Sequence, residues 1–198
     1  MSSFTARAPD RADDISIEIA RDLPALMEAF AVRAIVYMGE QACPYGEEYD
    51  GNDMTGATHL VARAGGEPVG VLRIRWFADF CKIERVAIRR ERRGGAVVTA
   101  LIDAAFAHAA RKGYRKVLGH VEARLLPLWR KHGLRARLGR PRLRFSDREY
   151  VEVIRELEVR ADALTLETPA MVLLRPEGAW DTPGILDRSA ERSVPMAH

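Results

Sequence analysis

One stretch constrains the fold more than any other: Cys81 to Ala110, CKIERVAIRRERRGGAVVTALIDAAFAHAA. It reads as a strand, a basic glycine turn and a helix. Ile83, Val86 and Ile88 are β-branched residues suited to a buried strand. Arg89 to Arg93 form a charged turn, and Gly94-Gly95 permits backbone conformations that a Cβ forbids. From Ala96 onward, Val97, Ala100, Leu101, Ala104, Ala105 and His108 recur at three- and four-residue steps and mark one helix face. A helix that opens after Gly-Gly presents free N–H groups and the positive end of its dipole. With Arg89, Arg90, Arg92 and Arg93 just before it, the expected occupant is a phosphate.

The segment ERVAIRRERRGGAVVTAL resembles the acyl-CoA-binding motif of the GNAT N-acyltransferases, a hydrophobic strand followed by Arg-Gly-x-Gly-x-Gly/Ala and a helix. In that family the turn's N–H groups hold the coenzyme A pyrophosphate, and the strand's backbone pairs with the pantetheine arm. The resemblance therefore implies donor contacts at Val86, Ala87, Ile88, Arg93, Gly94, Gly95, Ala96, Val97 and Val98. Ala96 and Val98 stand where the family has a glycine and a small residue, and a Cβ at either narrows the approach of the phosphates. LWRKHGL, Leu128 to Leu134, is similar to the family's FYxxxGF segment over the acyl-CoA, which adds Trp129 to the donor contacts. The implied donor is acetyl-CoA or a longer acyl-CoA, with no metal. The implied fold is α/β: a mixed, mostly antiparallel sheet splayed between strands 4 and 5, with helices on both faces.

The rest of the chain fits that order. At 198 residues one domain is expected, large enough to bury roughly 70% of its unfolded surface. Residues 1–13 read as a flexible tail, 14–175 as the domain and 176–198 as an irregular tail docked through Trp180 and Ile185. Ile15, Ile17 and Ile19 alternate in a first strand, and Asp22 caps a helix from Leu23 to Met38. The acidic stretch Gly39 to Thr55 follows as a loop or short helix. Strands are expected at His59–Ala64 and Pro68–Phe77, joined by Gly65-Gly66, then at Asp79–Ile88 and Lys116–Val121. A short helix is expected at Arg124–His132 and a long sixth strand at Leu134–Phe145, bent at Gly139-Arg140-Pro141. Ser146-Asp147-Arg148-Glu149 reads as a capping box opening a helix to Leu157, and Pro169–Leu174 as a last strand.

Charge is unevenly placed. Arg85 to Arg144 holds fourteen Arg and three Lys against Glu91, Asp103 and Glu122, a net +14 in a chain of net +3. That half is suited to an anion. A non-catalytic nucleic-acid-binding module is the reading of another class, but its arginines lack the interleaved aromatics of a base-stacking surface. No nucleic-acid partner is expected. Cys43 and Cys81 form no disulfide framework, no apolar run has the length of a transmembrane helix, and the first residues lack a secretory core. A cytoplasmic location is the expectation.

Acyl transfer to an amine needs an unprotonated nitrogen, a thioester beside it and a route for the proton. Glu84 sits on the fourth strand, where many GNAT members place their carboxylate base, and pairs with Arg73 or Arg85 if it is structural. Glu122, closing the fifth strand, is the second candidate. The family's tyrosine acid falls on Trp129, whose indole cannot serve. Among His59, His108, His120 and His132 no metal-ligand spacing appears. Only His120, at a strand end facing the cleft, is placed for catalysis.

Arg33, then Glu48, Asp50 and Asp53, then Arg73 and Arg85, is similar to the layout of acyl-homoserine-lactone synthases and long-chain N-acyl amino acid synthases. Carboxylates suit an aminium group and arginines a carboxylate or phosphate, so these six are the expected substrate contacts. The other reading is a solvated acidic loop with no ligand. Lys82 stands where the lactone synthases have glutamate, so a homoserine lactone product is not expected. The primary expectation is acetyl transfer from acetyl-CoA to a small-molecule primary amine. Two alternatives stand beside it: long-chain transfer from acyl-CoA or an acyl carrier protein to an amino acid or lipid, and a non-catalytic acyl-CoA sensor. A homodimer is a further expected partner arrangement.

Overall fold

A computed structural model describes residues 15–145 and 147–190 of the chain. Four strands, β1 (Ile15–Ile19), β2 (Ala57–Ala64), β3 (Glu67–Trp76) and β4 (Cys81–Ile88), form an antiparallel meander. Gly65 and Gly66 both have positive φ, as the tight turn between β2 and β3 requires. β5 (Lys116–Glu122) then lies parallel to β4, and β8 (Arg148–Glu156) runs antiparallel to β5. Two short strands, β6 (Arg135–Ala136) and β7 (Leu143–Phe145), both pair with β8.

β4 and β5 pair only from Cys81–Ile83 to Val117–Gly119. β4 continues to Ile88 and β5 to Glu122, so beyond those three pairs the two edges part. The sheet is splayed where the glycine-turn motif implies.

Helices cover both faces. α3 (Ala96–Arg111) buries Val97, Leu101, Ile102, Ala105 and Phe106 against Leu72, Ile74, Ile83, Ile88 and Val117. Gly70 on β3 makes this approach close: a Cβ there would stand 2.8 Å from Ile88 Cδ1, 2.9 Å from Val97 Cγ1 and 3.0 Å from Leu101 Cδ1. On the opposite face α1 (Leu23–Arg33) and its extension pack Ala29, Val32 and Val36 on Val61, Val71 and Ala87. The Asp22 carboxylate accepts from the Ala25 N–H, as the capping signal predicts.

Several expectations are corrected. The first helix is α-helical only to Arg33 and continues as a π-helix, Ala34–Glu40, a local widening that turns Tyr37 toward the sheet. α2 (Tyr45–Glu48) lies inside the acidic stretch, and the helix expected at Arg124 is a 3₁₀ turn, Ala123–Leu125, leading into α4 (Leu126–Lys131). The long sixth strand is broken into β6 and β7, with Gly139 at φ 75° in the gap. The helix expected to Leu157 is β8. Val151 and Val153 alternate with Tyr150 and Glu152, and β-branched alternation overrides the capping signature; Ser146 itself lies outside the described residues. The expected last strand is a single helical turn, α5 (Ala170–Leu173).

The tail after 176 is partly regular. α6 spans Ile185–Ala190, and Trp180 is buried and stacks on His108 with ring centroids 5.3 Å apart, whereas Ile185 is exposed. The expected tail at 1–13 lies outside the described residues. No helix among the described residues is long and apolar enough to cross a membrane.

Candidate active site

The site forms where β4 and β5 part, and a bulge in β4 shapes it. The β3–β4 register jumps between Val71↔Ala87 and Arg73↔Glu84, and Arg85 takes a left-handed φ of 51°. Such a conformation costs a non-glycine residue roughly 1–3 kcal/mol. Its consequence is that Glu84 and Arg85 both project toward α2 and the acidic loop. Arg85 donates to the Glu47 carbonyl (2.7 Å) and to Asp50 Oδ2 (3.0 Å), and these bonds offset the strain. Val86 then packs with the α3 side and Ala87 with the α1 side. The Tyr37 hydroxyl donates to the Val86 carbonyl at 2.8 Å.

The six residues read as substrate contacts come together, as a largely buried network. Arg33 donates to Glu48 Oε1, to both Asp53 oxygens and to the Glu48 carbonyl. Arg73 donates to Asp50 (2.9 and 2.8 Å), Asp53 Oδ1 (2.6 Å) and Glu84 Oε1 (2.7 Å). Arg33, Arg73 and Glu48 are closed to solvent, while the Asp50 and Arg85 side chains keep about a quarter of their surface, 28% and 25%. Most of this loop is therefore ordered around its own ion pairs, and Asp50 and Arg85 are what it offers outward.

Glu84 is held from both sides, by Arg73 and by Lys82 Nζ at 2.6 Å from Oε2. Burial works against its charge, yet the Lys82 hydrogen bond and the Arg73 charge keep its carboxyl below the ordinary glutamate range. Its oxygens are committed. Glu122 accepts from Arg124 and lies 3.5 Å from Arg148, which also donates to Gln41 at 2.7 Å. That chain ties the end of β5 to the end of the π-helix.

The glycine turn before α3 presents donors suited to an anion. Among the described residues no side chain caps α3, and the first bond into it is Thr99 N–H to the Gly95 carbonyl, so the N–H groups of Ala96, Val97 and Val98 point outward. Gly94 and Gly95 have φ of 112° and 150° with nothing within 4 Å of their Cβ positions. Of the two residues with a Cβ where the family has a glycine and a small residue, Ala96 is exposed and Val98 is half-buried against the main core. Arg93 folds back to the Ile88 carbonyl (3.0 Å) and to Glu40 Oε2 (2.5 Å). Trp129 is buried in the main core, so its indole is a packing element.

Sequence reasoning passed over three neighbours of the parting strands. Tyr37 lies within the stretch expected as the first helix, Leu23 to Met38, where nothing sets it apart. Tyr150 and Glu152 were hidden by reading β8 as a helix, although the alternation of Val151 and Val153 marks them as the opposite face. Among the described residues no group of three or more side chains is arranged as a metal site.

A splayed sheet with a basic, uncapped helix N-terminus beside the splay is the architecture of acyl-CoA-dependent N-acyltransferases. Residues 25–134 match the acetyltransferase (GNAT) family, and the chain belongs to that family. It is 31% identical over 117 residues to the uncharacterized N-acetyltransferase YjcF of Bacillus subtilis, covering 59% of this chain and 83% of that protein. Among solved structures, a putative N-acetyltransferase of Lactobacillus plantarum has a TM-score of 0.67 at 21% identity, over 73% of this chain and 99% of the other. An acyl-CoA N-acyltransferase of Pseudomonas aeruginosa gives 0.64 at 24%, over 71% and 99%. Two more distant structures carry ligands. A GNAT acetyltransferase of Elizabethkingia anophelis with acetyl-CoA bound has a TM-score of 0.54 at 15% identity, over 73% and 99%. The acyl-homoserine lactone synthase BjaI, with SAM and isopentyl-CoA, has 0.58 at 18%, over 69% and 78%.

Proposed function

We propose that this protein moves an acetyl group from acetyl-CoA to the primary amine of a small molecule, by direct attack of the amine. The observation that carries the reading is the opening of β4 from β5 next to the uncapped N-terminus of α3. Bound acetyl-CoA supplies a thioester, whose acyl carbon is open to an amine. The N–H groups of Gly94 to Val98, with Arg93, hold the diphosphate, and the β4 edge from Val86 to Ile88, which β5 leaves unpaired, orients the pantetheine arm once Tyr37 and Arg93 release the Val86 and Ile88 carbonyls. The likeness to the acetyl-CoA-bound structure of Elizabethkingia anophelis supports this donor.

Direct attack fits the two thiols. Cys81 is buried and its thiol is pushed up to about 12, and burial also raises Cys43. Neither is a thiolate near neutral pH, so neither is a nucleophile for an acyl-enzyme. Asp50 and Arg85 meet the acceptor at the mouth, while Arg33, Glu48, Asp53 and Arg73 hold them in place. Glu84 anchors the bulge through Arg73, and Glu122 closes the opening with Arg148.

The test is release of free CoA thiol with acetyl-, octanoyl- and palmitoyl-CoA across a panel of amines. Each CH₂ buried in an apolar channel would add about 0.8 kcal/mol, close to fourfold, to donor recognition. The expected result is a fall in kcat/KM with chain length. A steep rise would replace acetyl by a long acyl group, and CoA binding without turnover of any amine would leave only a sensor.

A further inference from the structure

The β5 strand carries a group that the carboxylate reading does not use. His120 is the first β5 residue beyond the last β4–β5 pair, Ile83↔Gly119, and so stands at the vertex of the splay. Its neighbours Gly119 and Val121 are buried toward α3, and its own side chain is on the opposite face, 22% exposed. Across the β5–β8 register it faces Glu152, whose Oε2 lies 3.4 Å from His120 Nε2. Glu152 is itself fixed. Its Oε1 accepts from Arg137 Nη1 (2.7 Å) and Arg140 Nε (2.9 Å), both from the segment between β6 and β7. From β4, Lys82 and Glu84 complete the charges around the ring.

We propose that His120 is the general base of the transfer, with Glu152 as the positioning residue that fixes its tautomer. The proposal rests on the reading of the protein as an N-acyltransferase. With Nε2–H directed to Glu152, the lone pair of Nδ1 is left to take a proton, and a carboxylate partner orients the ring and steadies the imidazolium that forms. The acceptor nitrogen gives its lone pair to the acyl carbon, forming the C–N bond. The C–S bond breaks with its pair on sulfur, and the nitrogen's proton passes to Nδ1. From there it leaves to the CoA thiolate or to water, restoring the neutral ring.

Two features favour His120 over Glu84. The Glu84 carboxylate is already engaged by Arg73 and Lys82. The His120 ring is kept neutral: burial and then the Lys82 charge lower its pKa, against the opposing pull of Glu152. A neutral imidazole is the form that accepts a proton at pH 7.

The test combines kinetics with an NMR titration of the His120 ring, using wild type, His120→Gln, Glu84→Gln and Glu152→Gln. Unchanged CoA affinity in His120→Gln certifies its fold. The expected outcome is a 10²–10⁴-fold loss of kcat in His120→Gln, greater than in Glu84→Gln, and an acid limb in wild-type kcat/KM that follows the His120 titration. Glu152→Gln should move both the titration and that limb to lower pH, with Glu152→Asp restoring part of each. Wild-type turnover in His120→Gln, or an acid limb that ignores Glu152→Gln, overturns the base while the acyltransferase reading stands. A wild type that binds CoA yet acetylates no amine removes the acyltransferase reading, and the base falls with it even if the His120 titration follows Glu152.

Discussion

Replacing Arg33 by methionine separates a structural network from a ligand-binding one. The guanidinium has no exposed surface and makes four hydrogen bonds, to Glu48 Oε1, the Glu48 carbonyl and both oxygens of Asp53. Methionine keeps most of the apolar stem but leaves the Glu48 carboxylate, itself 1% exposed, with Arg85 Nε at 3.3 Å as its one ion-pair partner among the described residues. Asp53 keeps Arg73 at 2.6 Å. Removing one partner of a buried pair typically costs about 3–5 kcal/mol, because the remaining charge is left without compensation. Urea melts at pH 7–8 should show a loss in that range, with an unchanged m-value.

The pH response gives an independent check. Burial already pushes the Glu48 carboxyl above the ordinary glutamate range, opposed by Arg33, and it rises further without Arg33. A group whose pKa is higher folded than unfolded favours the folded state at low pH, and that contribution is lost as the pH climbs through the folded value. The deficit of Arg33→Met should therefore shrink as the pH falls through the raised folded-state value of Glu48. A loss below about 1 kcal/mol, together with a raised KM for the amine, would show that Arg33 reaches substrate and would refute the structural role.

Three other outcomes follow from the same coordinates. Arg93→Ala should cost roughly 1.5–3 kcal/mol of CoA affinity by calorimetry, nearer the lower end because Glu40 must first release Arg93; an unchanged Kd would remove Arg93 from the phosphate site. Gly70→Ala should destabilise the fold by about 1–3 kcal/mol, since its methyl would meet Ile88, Val97 and Leu101 within a packed layer, and a melt identical to wild type would contradict that packing. Burial opposes the charge of Glu177, yet hydrogen bonds from His108, Lys112 and Thr58 hold its carboxyl down at about 2. That contribution is full above the unfolded value of about 4.3 and lost as pH falls toward 2. Hydrogen exchange around Trp180 should rise over that window in wild type, and a Glu177→Gln variant showing the same pH dependence would exclude Glu177 as the cause.

The local sequence decided what local forces control. β-Branched residues at Ile83, Val86 and Ile88, a Gly-Gly step and a 3.6-residue apolar period specify strand, turn and helix without help from distant residues. The splay at β4–β5 was legible through the resemblance of this segment to the acyl-CoA-binding motif, and the pairing of β4 with β5 over only three residues bears it out. Tertiary contacts decided the rest. The segment after Ser146 carries both a helix-start signature and a strand alternation, and pairing with β5 on one side and β6 and β7 on the other selected the strand. The acidic loop reads the same whether it meets solvent, substrate or arginines. Only the bulge at Arg85 and the burial of Arg33 and Arg73 show that the arginines take it. His120 and Glu152 lie 32 positions apart, and nothing in either local pattern joins them; the register between β5 and β8 does. Propensity acts over neighbours in the chain, whereas a site of charged groups depends on which strands lie side by side.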